Sequence, residues 1–168
     1  MNFTVRKETE KDAEQMGYVH YNAWIETYTD KIHSNYLDKL SLKRSIDMFT
    51  SIKCSNHIVI LVENKIIGFI GYSKARDKDL SDEYGEIPGM YILEKYHRKG
   101  FGRILLKEAV NELKKDGYRK INLWVLDSNI NAISFYENYG FIYEGKSKIE
   151  IRTEPLKELR FIYNISEE

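Results

Sequence analysis

The 168-residue chain lacks the residues that several common chemistries need, and it has only one cysteine. One cysteine cannot form an internal disulfide, and the surroundings of Cys54 match no thiol-protease pattern, so we expect a free structural thiol rather than a nucleophile. No Gly-x-Ser-x-Gly elbow occurs. Metal-ligand spacing is also absent among the histidines, which are His20, His33, His57 and His97. The sequence therefore predicts neither serine-hydrolase chemistry nor a bound metal.

An excess of charge of one sign and long hydrophobic runs are absent as well. Lys plus Arg equals Asp plus Glu at 26 each, so no overall field favours nucleic acid. The apolar runs are far shorter than a membrane span, and residues 1–6 lack the basic and apolar regions of a signal peptide. We therefore expect a cytoplasmic protein without a nucleic-acid or membrane partner. The length suits a single domain over residues 1–168.

A basic loop with two glycines, at residues 96–103, is the most informative feature that is present. An apolar segment at 90–93 precedes it and predicts a buried strand, and a helix with one apolar face follows, formed by Leu106, Ala109, Val110 and Leu113. Backbone N–H groups at the start of that helix are suited to phosphate, and Gly100 and Gly102 permit close approach. Four cations raise the local potential: Lys95, Arg98, Lys99 and Arg103. An ordinary strand-to-helix turn with solvated charges is the alternative.

A second motif lies at residues 129–141. Ala132, Phe135 and Tyr136 have the i, i+3, i+4 spacing of a short amphipathic helix, and Gly140 is placed to end it. Either motif alone is weak evidence, because short glycine patterns and short amphipathic helices are common. The two motifs together, in this order, are stronger evidence than either motif alone.

Together the two motifs resemble the GCN5-related N-acetyltransferase (GNAT) superfamily. Its members share a (Gln/Arg)-x-x-Gly-x-(Gly/Ala) loop and, about thirty residues later, an Asn-x-x-Ala-x-x-Phe-Tyr-x-x-x-Gly-Phe segment. Residues 129–141 match the second pattern at each named position, and residues 97–102 match the glycines of the first. The loop departs at His97, where Gln or Arg is usual, and at Arg98, where Gly is frequent. Because backbone N–H groups supply much of the phosphate grip, we expect the pyrophosphate site to survive on residues 98–103.

The order of predicted elements, β-α-α-β-β-β-α-β-α-β-β, is also that of the GNAT fold. The resemblance implies an α/β fold (α+β by some schemes) with a mixed, mostly antiparallel central sheet of about seven strands flanked by about four helices. It also implies a splayed cleft between the fourth and fifth strands. Pro88-Gly89, inside a strand predicted over about 84–93, fits such a splay, and an edge strand blunted against aggregation is the alternative.

The resemblance implies acetyl-CoA as co-substrate, with its pantetheine arm lying in that cleft. By position, the Ile92 N–H would polarise the thioester carbonyl, with Met90 nearby. Asn129 would bind the pantetheine or cap its own helix, and the two roles are compatible. The residues implied to bind the cofactor are Met90, Tyr91, Ile92, Arg98, Lys99, Gly100, Phe101, Gly102, Arg103, Asn129 and Tyr136.

The chemistry of acetyl transfer calls for an acid and a base. Attack by an amine expels a thiolate, whose conjugate acid has a pKa of about 8.5. Tyr136 stands where the family places the acid, and aromatic packing beneath the cofactor is its alternative. Glu86 stands where several members carry a catalytic glutamate, and its alternatives are a surface salt bridge and a water relay as base. Trp24, Tyr28 and Tyr84 could line the acceptor pocket, although aromatic residues at helical spacing are more often core.

These features predict an N-acetyltransferase that moves the acetyl group of acetyl-CoA to a primary amine by direct attack in a ternary complex. A small amine is the first choice of acceptor and a protein amine the second. An acidic run could attract a cationic amine, but interspersed basic residues favour a solvated loop; it comprises Asp77, Asp79, Asp82, Glu83 and Glu86.

Two other functions compete with this prediction. The first is a non-catalytic acyl-CoA-binding regulatory module, which would lack the acid or the base. The second is a nucleotide-binding domain, which the absence of a Walker A motif disfavours. Homodimers are common in the family, but the closing strands show no patch that decides the oligomeric state.

Overall fold

The computed structural model describes residues 2–30, 34–37, 39–52, 56–152 and 154–165. The described part has a mixed α/β fold, as predicted. Cys54 and His33 lie outside the described residues, so the expectation of a free thiol stays a prediction. None of the described helices is long and apolar enough to cross a membrane.

The strands are β1 (Phe3–Lys7), β2 (His57–Val62), β3 (Lys65–Gly71), β4 (Ser73–Lys74), β5 (Tyr84–Glu86), β6 (Met90–Ile92), β7 (Lys120–Leu126), β8 (Ile142–Ile151) and β9 (Pro155–Asn164). The helices are α1 (Ala13–Tyr28), α2 (Ser34–Leu37), α3 (Leu42–Ile52), α4 (Phe101–Lys115) and α5 (Ile130–Tyr139). They group into two compact units. Unit 1 comprises Met1–Gly71 and Gly89–Ala109, and unit 2 comprises Tyr72–Pro88 and Val110–Glu168. The single domain expected over residues 1–168 stays a prediction.

Local sequence signals set the ends of several elements. The Thr9 N–H donates to the Asp12 carboxylate (2.7 Å) in a capping box before α1. Gly117 and Gly140 have φ values of 91° and 121° where α4 and α5 end. The end of α5 at Gly140 agrees with the sequence analysis because the signal and the structure lie within a few residues of each other.

Unit 1 is built on an antiparallel sheet with the strand order β1-β2-β3-β6. Met16 of α1 and Phe49 of α3 are buried in one cluster with Phe69 of β3. The two helices approach closely at Gly17, where an added Cβ would lie 2.5 Å from the Ile46 Cα. This packing fixes α1 relative to the sheet that carries β6.

Unit 2 is built on a sheet with the strand order β4-β5-β7-β9-β8. β5 pairs parallel with β7, and the other pairs are antiparallel. Leu113 near the end of α4 lies close to Gly85 of β5, where an added Cβ would be 2.7 Å from its side chain. The predicted apolar face of α4 is buried at all four positions, Leu106, Ala109, Val110 and Leu113.

The continuous strand predicted over about 84–93 is wrong, because its two halves belong to different sheets. β5 belongs to the sheet of unit 2 and β6 to the sheet of unit 1. Between them, Ile87 N–H donates to Asn122 O (3.1 Å) and Pro88 has no N–H to continue the ladder. β6 is half-buried rather than buried, since it lies at the end of its strand order. The central sheet of about seven strands is likewise two sheets.

Candidate functional site

β6 offers two backbone N–H groups on the side that faces away from β3. The Leu93 N–H donates to a β3 carbonyl (3.0 Å), and Gly89 O accepts from a β3 N–H (3.0 Å). Ladder bonds recur at every second residue of an antiparallel pair, so Tyr91 is the residue that bonds to β3 between them. The N–H groups of Met90 and Ile92 therefore point to the outer edge of this sheet.

The anion loop predicted from the sequence follows β6 after one 3-10 turn (Glu94–Tyr96). The Ile104 N–H donates to Gly100 O (3.2 Å), so the N–H groups of residues 101–103 precede the first intrahelical bond of α4. Those groups lie at the positive end of the helix dipole, which suits an anion. The Phe101 side chain is buried against Phe3 (ring centroids 5.7 Å apart), so only its backbone can serve a ligand.

Backbone conformation explains one departure of the loop from the family pattern. Arg98 has a φ of 58° and Gly100 a φ of 85°, both in the left-handed region. That region favours glycine, the residue that is frequent at position 98, and costs an L-residue about 1 kcal/mol or more. The ammonium groups of Lys95 and Lys99 lie 5.0 and 5.4 Å from the centroid of the Tyr96 ring, which keeps both charges at the loop.

The second departure, His97, contacts β6. Its Nε2 lies 2.8 Å from Ile92 O. A carbonyl oxygen can only accept, so Nε2 carries the proton and donates. The imidazole therefore bonds to Ile92, the residue whose N–H faces the outer edge of the sheet.

Half-buried aromatic side chains line α1 near β6. The rings of Trp24 and Tyr28 lie 4.3 Å apart, as residues four positions apart on one helix can. His20, one turn earlier, contacts the Tyr91 ring of β6 at 4.9 Å. Its Nδ1 lies 3.0 Å from Ser45 Oγ, and burial lowers the pKa of His20 to about 4, so the imidazole is neutral at neutral pH.

Glu86 is buried, with 5% of its side chain exposed, and it is committed to a salt bridge. The Arg76 guanidinium donates to Oε1 (2.9 Å) and Oε2 (3.0 Å), and the Arg76 backbone N–H adds a third bond (3.2 Å). The salt-bridge partner considered in the sequence analysis is therefore present: Arg76 lies at the surface, with 72% of its side chain exposed, and pairs with a buried Glu86 carboxylate. Tyr84, two residues earlier, has the Lys120 ammonium 5.2 Å from its ring centroid.

Every carboxylate of the acidic run has a basic partner within unit 2. Arg160 bonds both Asp77 (3.0 Å) and Asp79 (2.8 Å) and also contacts Glu144. Hydrogen bonds from Arg160 and then Lys146 hold the pKa of Asp79 well below its usual range. The remaining pairs are Asp82 with Lys74, Glu83 with Lys120, and Glu86 with Arg76. The run is therefore neutralised by the chain itself.

Tyr136 and Asn129 lie at α5, as the second motif predicts. The Asn129 side-chain Oδ1 accepts from the Ala132 N–H (3.3 Å), so its helix-capping role is confirmed. Tyr136 is buried, and its ring contacts Phe135 (5.2 Å) and Phe141 (5.6 Å). Tyr136 therefore packs against its aromatic neighbours, whether or not its hydroxyl takes part in the reaction.

The predicted site residues divide between the two units. Unit 1 holds Trp24, Tyr28 and residues 90–92 and 98–103, whereas unit 2 holds Tyr84, Glu86, Asn129 and Tyr136. The sequence alone does not predict Arg76 and Arg160 as partners of the acidic run. It also does not predict the contact of His20 with β6. A helical spacing of four from His20 to Trp24 was the one available signal. No group of three or more His, Cys, Asp or Glu that could hold a metal occurs in the described ranges.

Comparisons with known proteins agree with this geometry. The family model described as "Acetyltransferase (GNAT) family" matches residues 10–141. The uncharacterized N-acetyltransferase YuaI of Bacillus subtilis is 29% identical over 157 residues, which cover 93% of this chain and 90% of that protein. A spermidine N(1)-acetyltransferase of Thermoplasma acidophilum is 26% identical, with 84% and 89% covered. The crystal structure of the PaiA N-acetyltransferase from Thermoplasma acidophilum, in complex with coenzyme A, has the same fold (TM-score 0.71, 23% identity, covering 97% of this chain and 100% of that one).

Proposed function

Because the chain belongs to the acetyltransferase (GNAT) family and is therefore an N-acetyltransferase, we propose that it moves the acetyl group of acetyl-CoA to a small primary amine by direct attack in a ternary complex. The observation that carries the proposal lies within unit 1. Two outward N–H groups, on Met90 and Ile92, are followed within a few residues by the loop whose N–H groups precede the first intrahelical bond of α4. One short segment thus offers donors for an extended arm and for the phosphates at its end.

The roles of the cofactor residues follow from these donors. The N–H groups of 101–103, with Arg98, Lys99 and Arg103, would bind the pyrophosphate of acetyl-CoA. Its pantetheine arm would lie along β6 like an added strand, and Asn129 would bind the same arm from its capped helix. The Ile92 N–H would polarise the thioester carbonyl, and an N–H aimed at a developing oxyanion is worth about 3–4 kcal/mol. The departing thiolate would take its proton from Tyr136.

Glu86 is the proposed base for the attacking ammonium, with a water relay as the other candidate. An alkylammonium has a pKa of about 10, so little free amine exists at neutral pH. Arg76 donates twice to Oε2, through its side chain and its backbone N–H, and once to Oε1, so Oε1 keeps one lone pair. The carboxylate can therefore accept from an amine or a water while it keeps its salt bridge.

A glutamine at position 86 tests this role. Glu86→Gln keeps the shape but cannot take a proton, so we expect kcat/KM for the amine to fall about 100-fold at pH 7. The deficit should shrink toward pH 10, where about half of the amine is already deprotonated. Arg76→Gln is the matched control, because it breaks the same salt bridge and leaves the carboxylate in place. A deficit that does not depend on pH, and that Arg76→Gln reproduces, would assign Glu86 a structural role.

The choice of a small acceptor is supported by the relatives named for spermidine and by the half-buried Trp24–Tyr28 pair. Aromatic faces attract ammonium groups, so we propose that these two rings form part of the acceptor wall, with Tyr84 as a third candidate. The acidic run does not support the choice, since each of its carboxylates has a partner. A protein amine is the second candidate acceptor, and a regulatory acyl-CoA-binding module is the alternative function.

Thermal unfolding with and without acetyl-CoA tests the cofactor proposal. Acetyl-CoA at one hundred times its dissociation constant should add about 2.7 kcal/mol of stability. For a chain of this size that is a rise in Tm of roughly 5–10 °C. S-acetylpantetheine, which lacks the phosphates, is the matched control and should raise Tm far less. An unchanged Tm with about 1 mM acetyl-CoA, the top of the usual KM range, would contradict the proposal.

A further inference from the structure

The outer edge of β6 is not open along its whole length. In an antiparallel strand the N–H and C=O of one residue point to the same side, so Ile92 presents both groups to the outer edge. The His97 Nε2–H already donates to Ile92 O (2.8 Å). The edge therefore offers the N–H and C=O of Met90 and the N–H of Ile92. The Ile92 C=O already accepts a bond from His97.

The chain between Ile92 and His97 forms a hydrogen-bonded turn that holds the two residues close together. The Tyr96 N–H donates to Leu93 O and the His97 N–H donates to Glu94 O, both at 2.9 Å. The peptide after Ile92 is consequently held from two directions. Its N–H, that of Leu93, donates to β3 (3.0 Å), and its carbonyl accepts from His97. The orientation of the Ile92–Leu93 peptide is thus set by groups outside any ligand.

We propose that His97 is a positioning residue for acetyl transfer, which fixes the register of the acyl-CoA arm on β6 by occupying the Ile92 carbonyl. The inference rests on the proposed function. An arm that adds to a sheet edge can pair in more than one register when donors and acceptors alternate along that edge. With one lone pair of Ile92 O taken and the imidazole beside it, an amide N–H of the arm bonds there less readily. The register that leaves the Ile92 N–H for the thioester carbonyl is then the favoured one.

Loss of the imidazole should affect the chemical step more than binding. In His97→Leu the Ile92 carbonyl is free to turn toward an amide of the arm, so the arm is held less precisely along the edge. Acetyl-CoA affinity should stay within about three-fold of wild type, whereas kcat should fall about 10- to 100-fold, because a displacement of about 1 Å can cost 100-fold. His97→Gln, whose amide can donate at the same distance, should keep most of the wild-type kcat.

The infrared frequency of the bound thioester carbonyl gives a readout that a purely structural role would not move. With 13C-labelled acetyl-CoA, the wild-type protein and His97→Gln should lower the C=O stretch relative to free acetyl-CoA, because the Ile92 N–H donates to it. His97→Leu should return the frequency toward the free value while its Tm stays near wild type, since residue 97 is exposed. His97→Asn, with a shorter donor, should behave like His97→Leu and serves as a second test if one variant folds poorly.

The outcomes separate the inference from the function on which it rests. If wild type does not bind acetyl-CoA, the proposed function fails. If wild type binds and acetylates, and His97→Leu has the same kcat and the same carbonyl frequency, the proposed function stands and the positioning role of His97 is wrong. An equal loss of kcat in His97→Gln and His97→Leu would also overturn it.

Discussion

Replacing Tyr136 by phenylalanine is expected to lower turnover about 100- to 1,000-fold while acetyl-CoA affinity stays within about two-fold of wild type. The change removes one hydroxyl and keeps the ring, so the contacts with Phe135 (5.2 Å) and Phe141 (5.6 Å) are preserved. The thiolate of coenzyme A is a better leaving group than an amine, with a conjugate-acid pKa of about 8.5. The loss should therefore lie in the lower part of the range known for general acids.

Steady-state kcat at saturating amine and acetyl-CoA affinity by calorimetry separate the two roles of Tyr136. Tyr139→Phe is the matched control, because it removes a hydroxyl from the same helix and keeps the ring contact with Tyr163 (5.4 Å). We expect Tyr139→Phe to turn over at the wild-type rate. A Tyr136→Phe protein with unchanged kcat would remove the hydroxyl from the mechanism and leave Tyr136 as a packing residue.

Replacing Arg160 by methionine is expected to cause a large loss of stability in unit 2. The Arg160 side chain is 4% exposed and bonds Asp77, Asp79 and Glu144. Methionine keeps the apolar stem but leaves three carboxylates without their shared cation. Breaking a buried ion pair costs about 3–5 kcal/mol, and partial solvent access of the carboxylates places this change near about 3 kcal/mol, or roughly 6–12 °C in Tm.

The pH dependence of that loss provides its check. The folded-state pKa of Asp79 is depressed by Arg160, so its contribution is present above the unfolded-state pKa of about 3.9 and disappears as pH falls further. The gap in Tm between wild type and Arg160→Met should therefore narrow below about pH 4. Lys146→Met, which removes only an exposed partner of Asp79, should change Tm little. A gap that persists unchanged at pH 3 would show that packing, not charge, accounts for the loss.

The parts of the fold that the sequence predicted are those with local causes. The end of α5 at Gly140 and the cap at Asn129 each depend on residues only a few positions apart. The same holds for the anion loop, whose N–H groups are fixed by the start of one helix. Such features need no knowledge of which strands pair.

The parts that were missed depend on distant partners. The strand predicted over 84–93 divides because Ile87 bonds Asn122 whereas β6 pairs with β3, and neither partner can be read from the segment itself. From the sequence alone the acidic run is interpreted as a solvated loop, because its partner Arg160 lies 83 positions from Asp77. The outward direction of the Ile92 N–H likewise required the register of β6 on β3. The acceptor residues remain predictions, because helical aromatic spacing fits a core as well as a binding wall.

Mass spectrometry of an amine panel incubated with the protein and acetyl-CoA tests the central claim most directly. The panel should contain spermidine, single-amine compounds and a peptide with a free N-terminus and a lysine, and released coenzyme A thiol should be measured in parallel. We predict an acetylated small amine and an equal amount of free coenzyme A, both strongly reduced in Tyr136→Phe. Acetyl-CoA that binds and raises Tm without any acetylated amine or released thiol would contradict the account and favour the regulatory acyl-CoA-binding module.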